Sequence, residues 1–180
     1  ASVKSGIDAQ ELFLEAISHN PESKVLIELY LNYLVSVDKS YDAFDFADLK
    51  DLSLAKPTWE YLVVSILIMN NKLDIAFNVM EERFNDGKLS PESCKVFASF
   101  HIEKNNHDLA LEIASDLLMN YPDNQEFIAL MGTILLSKGD FLKSIETLEP
   151  LVKSQDLTFN IIWDLIEART KLCPDILNFN

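Results

Sequence analysis

The strongest constraint on how this chain can fold is a period. Units starting at residues 23, 57, 91 and 125 follow one another at steps of 34 with no insertion. A fixed repeat of that length means that each unit is one supersecondary motif, unable to bury its apolar face alone and stacked on copies of itself. Within the units apolar residues recur at helical spacing, and no alternating run bounded by turn residues reads as a strand. Short polar breaks such as "NPES", "NNKLD", "KNNHD" and "SKGD" place helices near 8-19, 23-38, 42-52, 57-70, 74-85, 91-105, 107-120, 123-138, 140-153 and 157-172. Alternate breaks are tighter than their neighbours, so the helices come in pairs.

At the eighth position of the units stand Tyr30, Val64, Ala98 and Gly132, and at the twentieth Asp42, Ala76, Ala110 and Ser144. Two antiparallel helices approach closely only where the contact side chains are small. Gly132 is therefore expected to face Ser144, Ala98 to face Ala110, and Val64 to face Ala76. Gly139 has a different task. It falls in the turn between paired helices, where a left-handed backbone is inexpensive for glycine or asparagine, and Asn71 and Asn105 hold the equivalent places. Pro57 and Pro91 suit a first helical turn, with Ser90 as a cap before Pro91.

These residues resemble the tetratricopeptide repeat, best from Ser90 to Pro150, where Ala98, Ala110 and Pro122 fit one unit and Gly132, Gly139, Ser144 and Leu148 the next. The unit from Pro57 fits through Ala76. The unit from Ser23 departs, with Tyr30 and Asp42 where small residues belong. Residues 9 to 21 look like a lone second helix, carrying Ala9, Phe13, Ala16 and Pro21 in family places. The resemblance implies an all-α superhelix (solenoid) of tetratricopeptide-like helical hairpins with about ten helices. It would form a single repeat domain over 1-180, with full units near 23-56, 57-90, 91-124 and 125-158 and a lone helix at each end.

Fifteen lysines and arginines against 29 aspartates and glutamates give a net charge of -14, a field that repels phosphate backbones and attracts basic partners. Nucleic acid is not an expected partner. The charge and the period both count against the alternative reading, an RNA-binding pentatricopeptide-like array. The longest uncharged apolar run, from Tyr61, is too short to cross a bilayer, which takes about 20 residues, so no membrane insertion is expected. The two cysteines, Cys94 and Cys173, match neither a disulfide framework nor a zinc spacing, and a cytoplasmic or nuclear setting is expected.

The chain is expected not to be an enzyme, and no cofactor or metal is expected. Cys94 and His101, seven residues apart on one helix, form the best local thiol and base pair, but both occupy positions the repeat buries. Asp42, Asp45, Asp48 and Asp51 drift around a helix at steps of three and read as a solvated face. His107 opens a helix and His19 closes one.

Function is expected to lie in binding: a protein-interaction module, adaptor or scaffold subunit of a larger assembly. The resemblance implies that the second, fifth and ninth positions of each unit point into the concave face. These are Thr58, Tyr61 and Ser65, then Glu92, Lys95 and Ser99, then Glu126, Ala129 and Thr133. A chaperone-tail adaptor is not expected, because only Lys95 offers a cation to a terminal carboxylate. The second candidate surface is the helix "LTFNIIWDLIEARTKL", through which a second copy or a larger complex would attach. Phe159, Ile162, Trp163 and Ile166 are its candidate contacts, with Trp163 expected to sit mainly in the core.

Overall fold

The computed structural model describes residues 8-51, 59-153 and 158-173. Among the described residues are ten α-helices and one 3-10 segment, and no strand. They are α1 (Ala9–His19), α2 (Lys24–Ser36), α3 (Ser40–Asp51), α4 (Trp59–Met69), α5 (Leu73–Asn85), α6 (Pro91–Glu103), α7 (His107–Asn120), α8 (Gln125–Lys138), α9 (Phe141–Leu148) and α10 (Phe159–Leu172), with the 3-10 segment at Glu149–Lys153.

Local chemistry explains where the helices begin. Asp8 Oδ1 accepts from the Gln10 amide at 3.0 Å and opens α1. Ser90 Oγ accepts from the Ser93 amide at 3.3 Å, and Pro91 follows in the first turn, where its missing N–H costs nothing. Asn124 Oδ1 accepts from the Glu126 and Phe127 amides at 3.0 and 3.2 Å and opens α8. Pro57, expected to open α4, lies outside the described residues. Pro150 explains an ending. Without an N–H it cannot continue the ladder of α9, and the backbone tightens into the 3-10 segment where one unbroken helix to 153 was expected.

The turns inside the pairs share one geometry. Asn71, Asn105 and Gly139 have φ of 57°, 58° and 87°, the left-handed conformation their residue types led us to expect. Each turn closes with a long backbone bond, Lys72 N to Leu67 O, Asn106 N to His101 O and Asp140 N to Leu135 O, all between 2.8 and 2.9 Å. This pattern caps the carbonyls that a helix end leaves open.

The same geometry corrects the register of the first unit. There the left-handed residue is Asp38, with φ 61°, and Lys39 N reaches Leu34 O at 2.9 Å. Asp38 precedes Asn71 by 33 residues, whereas 34 separate Asn71 from Asn105 and Asn105 from Gly139. Counting by 33, the small position of α3 is Ala43 and its counterpart in α2 is Leu31, both fully buried. The apparent departure at Tyr30 and Asp42 was a misregistration by one residue, since Asp42 is exposed and Ala43 is fully buried.

The chain divides into two compact units, Ala1–Val79 and Met80–Asn180, with the boundary inside α5. In the first unit each helix from α1 to α4 packs on the next, and α2 also packs on α4. Tyr30 fills the middle of an aromatic cluster, with ring centroids 5.6 Å from Phe13 and 4.8 Å from Phe46. Burial pushes its phenol above the ordinary range. Lys72 ties two successive turns together, donating to Val35 O at 2.5 Å and Asp38 Oδ1 at 2.7 Å.

In the second unit α6 through α10 pack in succession, while α6 meets α8 and α8 meets α10, so the first helices of successive pairs form their own row. Ser144 Oγ donates to Gly132 O at 2.8 Å, which realises the expected close approach of α8 and α9. Ala98, Ala110 and Ser144 are fully buried. The far end of the unit is closed by Leu136, Ile145, Leu148, Leu151, Ile161, Leu165 and Ala168.

Candidate functional site

The row of α6, α8 and α10 encloses a groove of about 650 Å³. Four residues that the tetratricopeptide resemblance led us to expect on a concave face line it together: Lys95 from α6 and Glu126, Ala129 and Thr133 from α8. Asp123, Asn124, Thr158, Asn160, Ile161 and Asp164 complete most of the wall. The surface is mixed, with hydroxyl and amide groups beside the apolar Ala129 and Ile161.

Two internal contacts organise the polar groups. Lys95 Nζ is ion-paired with Glu126 across the groove mouth. The Glu126 side chain is 70% exposed, so this pair contributes little to stability. Deeper in the groove, Thr133 Oγ1 donates to Asp164 Oδ2 at 2.5 Å. Asp164 is half-buried, and its Oδ1 has no partner among the described residues. Burial raises the Asp164 carboxyl above its ordinary value; the Thr133 hydrogen bond opposes this, and Glu167 adds repulsion.

The other residues assigned to the concave face are placed differently. Ser99 is exposed and turns its hydroxyl back to Lys95 O at 3.1 Å. Glu92 lies half-buried on α6 outside the groove wall. Tyr61 and Ser65 lie on α4 in the other compact unit, half-buried, with Ser65 Oγ bonded to Tyr61 O at 2.9 Å. Thr58 lies outside the described residues. Sequence reasoning missed Asn160 and Asp164, although carrying the period one step beyond Glu126 lands on Asn160 and so marks α10 as a third wall.

The α10 helix also presents a second surface. Ile161, Leu165 and Ala168 face the core at helical spacing. Phe159, Ile162, Trp163 and Ile166 are 73%, 40%, 56% and 53% exposed, and the Phe159 and Trp163 rings stack with centroids 6.1 Å apart. This corrects the expectation that Trp163 sits mainly in the core: the buried stripe of α10 is narrow, and Trp163 falls outside it.

Cys94 and His101 are both buried in the packing of α6, and His101 lies edge-on to Phe97 with centroids 4.5 Å apart. No group of three or more histidine, cysteine or carboxylate side chains among the described residues is arranged to hold a metal. No helix among them is long and apolar enough to cross a membrane.

Helical pairs repeating at 33 or 34 residues, small residues at the crossings and left-handed turns within the pairs define a tetratricopeptide-repeat fold. Among solved structures the chain is similar to YrrB, described as a TPR protein with an unusual peptide-binding site, with a TM-score of 0.52 over 93% of this chain and 95% of that one. At 17% identity, that likeness is one of fold. No family model matches the sequence, and no curated protein matches it.

Proposed function

We propose that this chain is a protein-interaction module that binds an extended peptide segment in the groove between α6, α8 and α10. The observation that carries this reading is the convergence of Lys95, Glu126, Ala129 and Thr133 on one cavity, all at positions that the tetratricopeptide resemblance implies face the concave side. A volume of about 650 Å³ suits a few extended residues. Amide and hydroxyl groups along the wall, including Asn124, Asn160 and Thr158, suit a ligand that brings its own backbone donors and acceptors. The peptide-binding description of YrrB favours the same role. The acidic surface gives a basic partner the faster encounter.

The test is a displayed peptide library selected on the native chain and then challenged with Asn160→Trp, which places a bulky ring in the groove from an exposed position. Selected peptides are expected to lose at least about tenfold in affinity, while stability changes by less than about 0.5 kcal/mol. Equal binding to both proteins would remove the groove from consideration.

A second reading is supported by the exposed apolar face of α10: attachment of the module to a larger assembly, or to a second copy, through Phe159, Ile162, Trp163 and Ile166. Ile162→Asp would then abolish the attachment and leave peptide binding in the groove intact.

A further inference from the structure

Resting on the groove reading, we propose that Asp164 sets the specificity of the groove by receiving a cationic side chain, arginine or lysine, of the bound peptide. The carboxylate occupies a wall of the cavity and is fixed rather than free, because Thr133 Oγ1 holds Oδ2 at 2.5 Å. That bond leaves Oδ1 without a partner among the described residues. Thr133 and Asp164 also line a second depression of about 410 Å³, bordered by Ser137, Phe141, Glu167 and Lys171. The carboxylate therefore stands where two hollows meet, a place that a side chain entering from either one reaches.

The charge balance selects the ligand. Asp123, Glu126 and Asp164 line the main groove against Lys95, the single cation among the described residues of its wall, which Glu126 already engages. In the second depression Lys138 is bound to Asp108 at 2.7 Å, and Lys171 is exposed. Among the described groups that act on the Asp164 carboxylate, none is cationic: Thr133 is neutral and Glu167 is an acid. A half-buried carboxylate without a counter-ion carries a desolvation cost that a guanidinium or ammonium offsets. A neutral side chain leaves that cost in place, and an acidic one adds to it, so discrimination follows from chemistry already built into the wall.

The test compares short, otherwise neutral peptides taken from the library selection, each carrying one arginine, with the same peptides carrying citrulline, which keeps the shape and removes the charge. Binding is read by fluorescence anisotropy at physiological ionic strength. The native chain is expected to favour arginine over citrulline by about tenfold or more. Asp164→Asn should abolish that preference, whereas Asp116→Asn, which makes the same change in net charge at an exposed position outside the groove, should retain it. Asp164→Asn is expected to melt no lower than the native chain, since it removes an uncompensated charge. Asp164→Ser provides a second folded comparison.

Peptides that bind without distinguishing arginine from citrulline would overturn the assignment and leave the groove reading standing. The assignment would also fall if the preference survived in Asp164→Asn, or if Asp116→Asn reduced it equally, since the acidic surface as a whole would then be responsible. Absence of binding by any peptide would overturn both.

Discussion

Gly132 and Gly139 are seven residues apart, and each is required for a different reason. Gly139 sits in open space with φ 87°, so a side chain there meets no neighbour and only the backbone objects. Gly132 has an ordinary helical backbone, but a Cβ built on it would overlap Cγ and Cδ2 of the fully buried Leu148. Gly132→Ala gains up to about 1 kcal/mol of helix propensity and loses about 1-3 kcal/mol to overpacking. Overpacking wins, because Leu148 is enclosed on all sides. Urea unfolding should show a net loss of about 1-2 kcal/mol for Gly132→Ala, while Gly139→Asn stays within about 0.5 kcal/mol of the native chain. His101 supplies a pH-dependent counterpart. Burial, then the nearby Lys104, holds its imidazole below the ordinary value, with Glu81 opposing. In the unfolded chain it titrates near about 6.5, so its contribution to stability is present above that pH and is lost as pH falls through the lower folded value. Thermal melts should drop between neutral and mildly acidic pH, and more shallowly in His101→Gln. Asp164 acts with the opposite sign, because its folded value is raised: it destabilises as pH rises past its ordinary 3.8.

At the scale of the element, α10 separates what packs from what stays exposed. Leu165 is 5% exposed and belongs to the closing core, while Phe159 and Trp163 stack on each other in solvent. Leu165→Ala is expected to cost about 2-5 kcal/mol, the usual range for truncating a buried leucine. The pair Phe159→Ser with Trp163→Ser should move stability by less than about 1 kcal/mol and reduce the binding of a hydrophobic dye; a large loss of stability from that pair would mean that the two rings belong to the core. The sequence showed this helix to be rich in apolar residues, but it did not show which of them face the core. Several apolar residues crowd one helix, and the positions of α8, α9 and the 3-10 segment decide which stripe they cover. The misregistered first unit teaches a related lesson. A period of 34 counted from helix starts slides over a one-residue deletion, because Leu31 and Ala43 stand beside Tyr30 and Asp42 and either register reads as a helix. The backbone turn at Asp38 resolves it.

At the scale of the molecule, the proposed function depends on rows of helices rather than on any one of them. The groove draws on three helices whose sequences have little in common apart from their spacing, so no local motif marks it. The α6 and α8 contributions, Lys95, Glu126, Ala129 and Thr133, were named from the tetratricopeptide resemblance, which assigns equivalent positions of stacked units to one face. The third wall went unread because α10 was taken for a lone terminal helix whose apolar residues drew attention to its other face. The excess of acid over base, readable from composition, sets the sign of the long-range field. It does not say which carboxylate lacks a counter-ion.

What the sequence determined by itself is the architecture. Helical periodicity, small residues at fixed intervals, and asparagine or glycine at the turns are local constraints, and each is satisfied or violated within a few residues of chain. What only the tertiary structure decided is the chemistry of the surface: that Thr133 holds one oxygen of Asp164, that Lys95 is engaged by Glu126, and that Trp163 faces solvent. Each of these depends on the distance between side chains about 30 residues apart or on which face a neighbouring helix covers, and a linear pattern fixes helix phase far more firmly than it fixes the meeting of two helices.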